Sequence, residues 1–254
     1  MVNAALPNVS ESINPGIYSI SNEAYHQGPG ISRSGLMELK RSPYHYWYKH
    51  INPAYVAKPA TPAQLFGHAF HTRVLEPDKF EGISNILTSY QRKLFGDLEP
   101  MLASLKQNKL AWGLIENAQM EQSLYWHDPD TGILCKCRPD ILRQSLVADL
   151  KTSNDGSAWS FSKAILDYGY HIQMAMIREA VRIIQGIDLQ NFWFIVIEKS
   201  APYVVSTYKL DKAALDKGLE EFKFLLQQYK ACLAANDWPS YAVQEISLPR
   251  YAFN

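Results

Sequence analysis

The stretch Arg138 to Thr152, RPDILRQSLVADLKT, decides the reading of this chain. It divides into two β-prone runs around Gln144-Ser145, and a hairpin turning there pairs residues whose numbers sum to 289. Asp140 then stands opposite Asp149, with the two side chains on one face about 4.5–5.5 Å apart. Lys151 lies two residues beyond Asp149 and points to the same face, whereas Leu146, Ala148 and Leu150 point to the other and can enter a core. Gln-Ser is a weak tight-turn pair, so the flanking pattern carries the register.

Two carboxylates this close repel each other unless positive charge lies between them. A divalent cation fits, because hard oxygen donors suit Mg²⁺, which keeps several waters and adds substrate phosphate oxygens. Such an ion makes bound water more acidic and offsets charge growing on a phosphate. Lys151 can position or deprotonate that water and stabilise the developing negative charge. The trio is thus a set for hydrolysing a phosphodiester. Asp-x-Lys also arises as an ordinary ladder of surface charges. Here it follows SLVA, a run with the character of a buried strand, where unpaired charge is costly, and a proline precedes Asp140.

Working outward, Glu121 lies on the preceding strand. Pairing across HDPDTG (127–132) brings it near Arg138 or Pro139 and within reach of Asp140, or leaves it as a solvent-facing strand glutamate. His71 sits mid-helix, four residues after Gly67 and on the same helical face. Glycine there would let that face approach another backbone closely, although a lone helix histidine is more often structural. Gln173, one turn after Tyr170, could hold a phosphate or water, or only satisfy a sheet edge.

The remaining elements follow from periodicity and caps. Gly30–Lys40 gives a short amphipathic helix after a serine cap, and Ser42-Pro43 restarts a helix that carries Tyr44, Trp47 and Tyr48 on one face. Those aromatics are assigned to core packing ahead of base stacking. Thr61-Pro62-Ala63-Gln64 has the form of a capping box opening a helix to about Leu75, and residues 83–118 look helical in two pieces broken near Gln107-Asn108. Strands are expected over 120–126, 133–142, 146–152, 192–197 and 203–209, with a helix over 168–184. A last helix opens near Asp211, with Leu215, Leu219, Phe222, Leu226, Tyr229 and Leu233 as its apolar stripe. The fold class is α/β, a central and mostly antiparallel mixed sheet flanked by helices, in one domain over residues 1–254 with the first fifteen loosely ordered.

Charge and cysteine content narrow the class without naming it. Lys plus Arg and Asp plus Glu number 25 each, so no basic excess advertises nucleic acid, though a local groove can still attract it. No apolar run is long enough for a membrane span, and residues 1–15 do not read as a secretory signal. Cys135, Cys137 and Cys232 lack the spacing of a zinc site and are taken as small buried residues in a reducing cytoplasm.

A series of motifs then becomes familiar. GISRSGL, FGHAFHTRVLEP (66–77), SLYWHDPDTGILCKCRPD (123–140), ADLKTS (148–153), YGYHIQ (168–173) and WPSYAVQEISLPRYA occur in order over about 30–251. In this the chain resembles the C-terminal nuclease domain of the RecE (exonuclease VIII) family, within the lambda-exonuclease and RecB-like branch of the PD-(D/E)xK superfamily with its restriction-endonuclease-like core. The resemblance implies a metal shell of His71, Asp140, Asp149 and the main-chain carbonyl of Leu150, with Glu121 at a further acidic position. It implies Lys151 as the catalytic lysine and Gln173 as the glutamine of the Q-motif, although the tyrosine expected four residues later is Ile177. It implies Mg²⁺, with Mn²⁺ able to substitute, and a 5′-to-3′ exonuclease that acts on linear double-stranded DNA and leaves 3′ overhangs for recombination by strand annealing. Expected partners are double-stranded DNA ends and a RecT-like single-strand annealing protein. The expected assembly is a ring-shaped homo-oligomer, a tetramer ahead of a trimer, and genes of this type are commonly carried by phages. Two rivals remain: an endonuclease of the same superfamily, and a catalytically silent DNA-binding subunit. Replacing Lys151 with Ala is expected to leave folding and DNA binding largely intact while removing hydrolysis. Lys40, Arg41, Lys49, Arg92 and Lys93 are candidates for a DNA channel or plain solvated charge.

Overall fold

The computed structural model describes residues 13–84, 96, 98–249 and 252. Its centre is a five-stranded sheet in the order β2-β5-β6-β7-β8, comprising β2 (Gln119–Met120), β5 (Ile141–Arg143), β6 (Leu146–Ser153), β7 (Asn191–Glu198) and β8 (Val205–Lys209). The pairing β6–β7 is parallel and the other pairings are antiparallel, so the sheet is mixed. A second, three-stranded sheet joins β1 (Gly16–Tyr18), β3 (Ser123–His127) and β4 (Leu134–Cys137).

The expected hairpin register is present: Ile141 pairs with Ala148, Leu142 with Val147 and Arg143 with Leu146. Alternation sends Ile141, Ala148 and Leu150 into one core and Leu142 and Val147 into another. Two long strands were expected on either side of HDPDTG, and each is in fact broken into two. Pro139 cannot donate to a ladder, and Glu121 takes a left-handed φ of 51°, so the paired chains step from the small sheet to the large one at Glu121–Gln122 and Arg138–Asp140.

Helices cover both faces of the large sheet. One face is packed by α4 (Pro62–Leu75), α6 (Leu98–Gln107) and α7 (Lys109–Ile115), through Phe66, Phe70, Met101 and Leu105 against Leu150 and Ile195. The capping box at Thr61 and Gln64 is formed as expected. On the other face lie α2 (Arg33–Arg41), α9 (Tyr170–Gln185) and α10 (Lys212–Ala235), the last opened by an Asp211 cap. Helix α9 packs beneath both sheets, through Ile172, Met174, Met176 and Ile177. Ile177, where the resemblance leads one to expect tyrosine, is a fully buried core residue. The three cysteines are free and buried, as expected.

Other expectations need correction. Helices α1 (Asn22–Gln27), α5 (Pro77–Ser84) and α8 (Ala158–Asp167), and strand β1, were not foreseen. On α3 (Pro43–His50) Tyr46 is buried and Trp47 packs against the core as expected, whereas Tyr44 and Tyr48 are each 49% exposed and do not serve the core. A Cβ on Gly67 would meet only the Thr152 hydroxyl at 3.6 Å, an ordinary contact, so no close backbone approach requires that glycine. Lys40 and Lys49 form ion pairs with Glu221 and Glu38, and Arg92 and Lys93 lie outside the described residues. The expected helical region from 83 to 118 is described only in part, as is the expected loose N-terminus.

Candidate active site

The break between the two sheets builds the site. Beyond Ile141 the chain leaves the ladder, which would strand the N–H of Leu150 on β6. Asp140 replaces the missing carbonyl: its Oδ2 accepts from that N–H at 2.8 Å. Across the other side of the break, the Glu121 N–H donates to the Asp140 carbonyl at 3.1 Å, so Glu121 falls opposite Asp140 rather than Pro139. The Glu121 carboxylate is then fixed by Arg138, whose Nε donates at 2.6 Å while Nη1 donates to Ser123 Oγ and the Ile20 carbonyl. Glu121 is therefore a half-buried member of the site and not a solvent-facing strand glutamate.

Helix α4 brings in His71, whose Nδ1 lies 3.5 Å from Asp140 Oδ2 and whose ring also bonds the main-chain carbonyl of Leu150. One ligand atom each from His71, Glu121 and Asp140 can lie within 4.8 Å of one another. Burial, followed by the Lys151 charge, holds the imidazole below its ordinary pKa, so it is neutral at pH 7 and keeps a lone pair. Burial and the neighbouring Asp140 raise the Glu121 carboxyl. Burial and the Asp149 charge push Asp140 up to about 7. A cluster of acids that resists ionisation in this way is one that a cation would relieve.

Asp149 is fully buried and does not belong to that cluster. One of its oxygens lies against the Lys151 ammonium, and the other accepts from Gln173 Nε2 at 2.7 Å. Lys151 Nζ also stands 4.6 Å from the ring centre of Tyr170. Burial pulls the Lys151 pKa down, but the Asp149 and Asp140 carboxylates more than restore it, leaving it above the ordinary lysine value. Without a metal, Lys151 is thus held as a positive charge against Asp149. Gln173 Oε1 is buried without a hydrogen-bond partner.

The residues expected at the site converge, in two groups. His71, Glu121, Asp140 and the Leu150 carbonyl form one group, and Asp149, Lys151 and Gln173 form the other, coupled to the first through charge. The first borders a cavity of about 270 Å³ that Arg33, Arg138 and Gln173 also line. Two acidic oxygens, a carbonyl and one neutral imidazole suit a hard or borderline divalent cation, so the donor set fits the metal implied by the resemblance. Sequence reasoning missed Arg138 as the residue that aims Glu121. Its signal was its position two residues before Asp140, on the same side of a strand.

Comparison with solved structures supports this architecture. A crystal structure of a candidate exonuclease from Eubacterium rectale superposes with a TM-score of 0.68 at 17% identity, over 91% of this chain and 97% of that one, a likeness of fold. A phage-related exonuclease from Haemophilus somnus (TM-score 0.43, 13% identity, 80% of this chain and 82% of that one) and an alkaline exonuclease from Laribacter hongkongensis (0.34, 13%, 82% and 92%) match more distantly. No curated protein matches the sequence. A family model does match, over residues 32–246, and by that match the chain belongs to the family described as PDDEXK-like domain of unknown function (DUF3799).

Proposed function

We propose that this chain is a divalent-metal-dependent deoxyribonuclease. The observation that carries the reading is the convergence of His71, Glu121 and Asp140 within 4.8 Å, beside a Lys151 ammonium held against Asp149. His71, Glu121, Asp140 and the Leu150 carbonyl are the residues that would hold the ion. A bound divalent cation would supply a more acidic water and offset charge on a phosphate. The oxygen-rich donor set favours Mg²⁺, with Mn²⁺ as a substitute that tolerates the imidazole.

The chain's own residues then divide the work. Lys151 hydrogen-bonds a non-bridging phosphate oxygen and stabilises negative charge as water oxygen bonds phosphorus and the ester P–O bond breaks. The proton lost by the water passes to a carboxylate or to solvent, and the leaving oxygen takes one from solvent. Gln173 holds Asp149 in place through Nε2.

The finer reading is a 5′-to-3′ exonuclease on linear duplex DNA, working as a closed ring with a single-strand annealing partner. It rests on the ordered motifs from GISRSGL to WPSYAVQEISLPRYA. Linear duplex and covalently closed circles incubated with Mg²⁺ provide the test. Loss of one strand from linear DNA with circles untouched is expected. Circles cut as readily would make the protein an endonuclease, and binding without cleavage of either would make it a silent subunit.

A further inference from the structure

A second cavity, of about 420 Å³, is lined in part by Lys151. Its walls include Trp159 of α8, Tyr168 and Tyr170, and Lys163 and Lys199 stand at its edge. Trp159 is 76% exposed and Tyr168 59% exposed. The core takes Phe161 from the same helix, stacked on Tyr208 with ring centres 5.5 Å apart. The helix thus buries its phenylalanine and turns its indole to solvent.

The geometry around it is that of a shelf. Tyr168 and Tyr170 stack with centres 5.6 Å apart, and Arg33 reaches over the Tyr170 ring from the rim of the first cavity. Tyr170 also carries Lys151 on its ring, and both residues line this second cavity. Lys163 Nζ lies 5.8 Å from the Trp159 ring centre. Asp155 and Asp167 also line the cavity and cancel much of its positive charge. Attraction to phosphate alone therefore explains it poorly, and stacking explains it better.

We propose that Trp159 and Tyr168 form a stacking platform for unpaired nucleobases of the DNA strand whose phosphate lies at Lys151. The proposal rests on the nuclease reading and adds to it that bases beside the cut are unstacked from the duplex and lie against α8. Alternating aromatic faces and lysines next to a phosphate-handling site are the means by which proteins hold single strands without reading their sequence.

The test measures binding of an oligonucleotide with a single-stranded end, in Ca²⁺ in place of Mg²⁺, by wild type, Trp159→Ala and Trp159→Phe. It uses natural DNA and DNA made abasic next to the end. Trp159→Ala is expected to weaken binding of natural DNA by ~5- to 150-fold, the range for losing one stacked base, and Trp159→Phe by less. Against abasic DNA the three proteins should bind alike. Equal binding of natural DNA by all three would overturn the platform, as would a loss that persists undiminished on abasic DNA. Wild-type hydrolysis of the same natural DNA in Mg²⁺ separates the two ideas. Hydrolysis with equal binding sinks the platform alone, and no binding or hydrolysis by wild type sinks both.

Discussion

At the scale of single residues, the account turns on charge confined in a small volume. Asp140 has its pKa pushed from 3.8 to about 7, so between those values the folded chain holds a proton that the unfolded chain has lost. Its contribution to metal-free stability therefore declines as pH rises across that window and levels off above it. Thermal unfolding in EDTA should give a wild type that loses stability from pH 5 to pH 8 relative to Asp140→Asn, on the order of 1–3 kcal/mol, with the difference removed by Mg²⁺. Identical pH profiles for the two proteins would show that Asp140 is not under this pressure. Lys151 needs a revised expectation. Its partner Asp149 is fully buried, so Lys151→Ala strands a carboxylate and should cost about 3–5 kcal/mol in EDTA, beyond the loss of hydrolysis. An unchanged unfolding temperature for that variant would mean the pair carries little of the fold's electrostatic balance. The β5–β6 register that leads to Asp140, and the common face of Asp149 and Lys151, were legible in the sequence because side chains alternate along a strand and the turn sets the count. That Asp149 would accept from Gln173 and stay outside the His71–Glu121–Asp140 cluster was not. It depends on where α9 lies, which no local pattern encodes.

At the scale of elements, the site exists because paired strands change sheets. Arg138 links that step to the ligand set by holding Glu121, Ser123 and the Ile20 carbonyl at once. Arg138→Ala should free the Glu121 carboxylate and weaken divalent-metal affinity by ~10- to 100-fold, as expected for a partner that orients a ligand, measurable by calorimetric titration. Affinity equal to wild type would remove Glu121 from the metal shell. Helix packing makes a separate prediction. A Cβ on Gly218 of α10 would overlap the His171 carbonyl of α9, so the two helices cross at a point where only glycine fits. Gly218→Ala should cost about 1–3 kcal/mol and shift α9, and with it Gln173; denaturant unfolding at wild-type stability would contradict that crossing. The capping box at Thr61, the α10 stripe and the β5–β6 register could all be read locally because each is set by residues three to ten apart. The split of two expected strands into four could not. A left-handed Glu121 and a proline on the facing strand act together only once the strands are paired. Helix α8 was missed because it buries one phenylalanine and shows solvent an indole, which obscures the apolar period.

At the scale of the whole molecule, a chain with 25 basic and 25 acidic residues that acts on DNA as proposed would retain it by something other than net charge. The proposed ring and the proposed stacking on α8 would each meet that need, and each would leave binding less salt-dependent than a basic patch. No helix among the described residues is long and apolar enough to cross a membrane. The central claim is that a divalent ion held by His71, Glu121 and Asp140, with Lys151 beside it, lets this fold hydrolyse DNA. It is tested most directly with linear duplex labelled separately at its 5′ and 3′ ends, given to wild type and Asp140→Asn in Mg²⁺ and in EDTA. The account predicts early release of the 5′ label by wild type in Mg²⁺ and none in EDTA or from Asp140→Asn. Equal release in EDTA, or by Asp140→Asn, would contradict it.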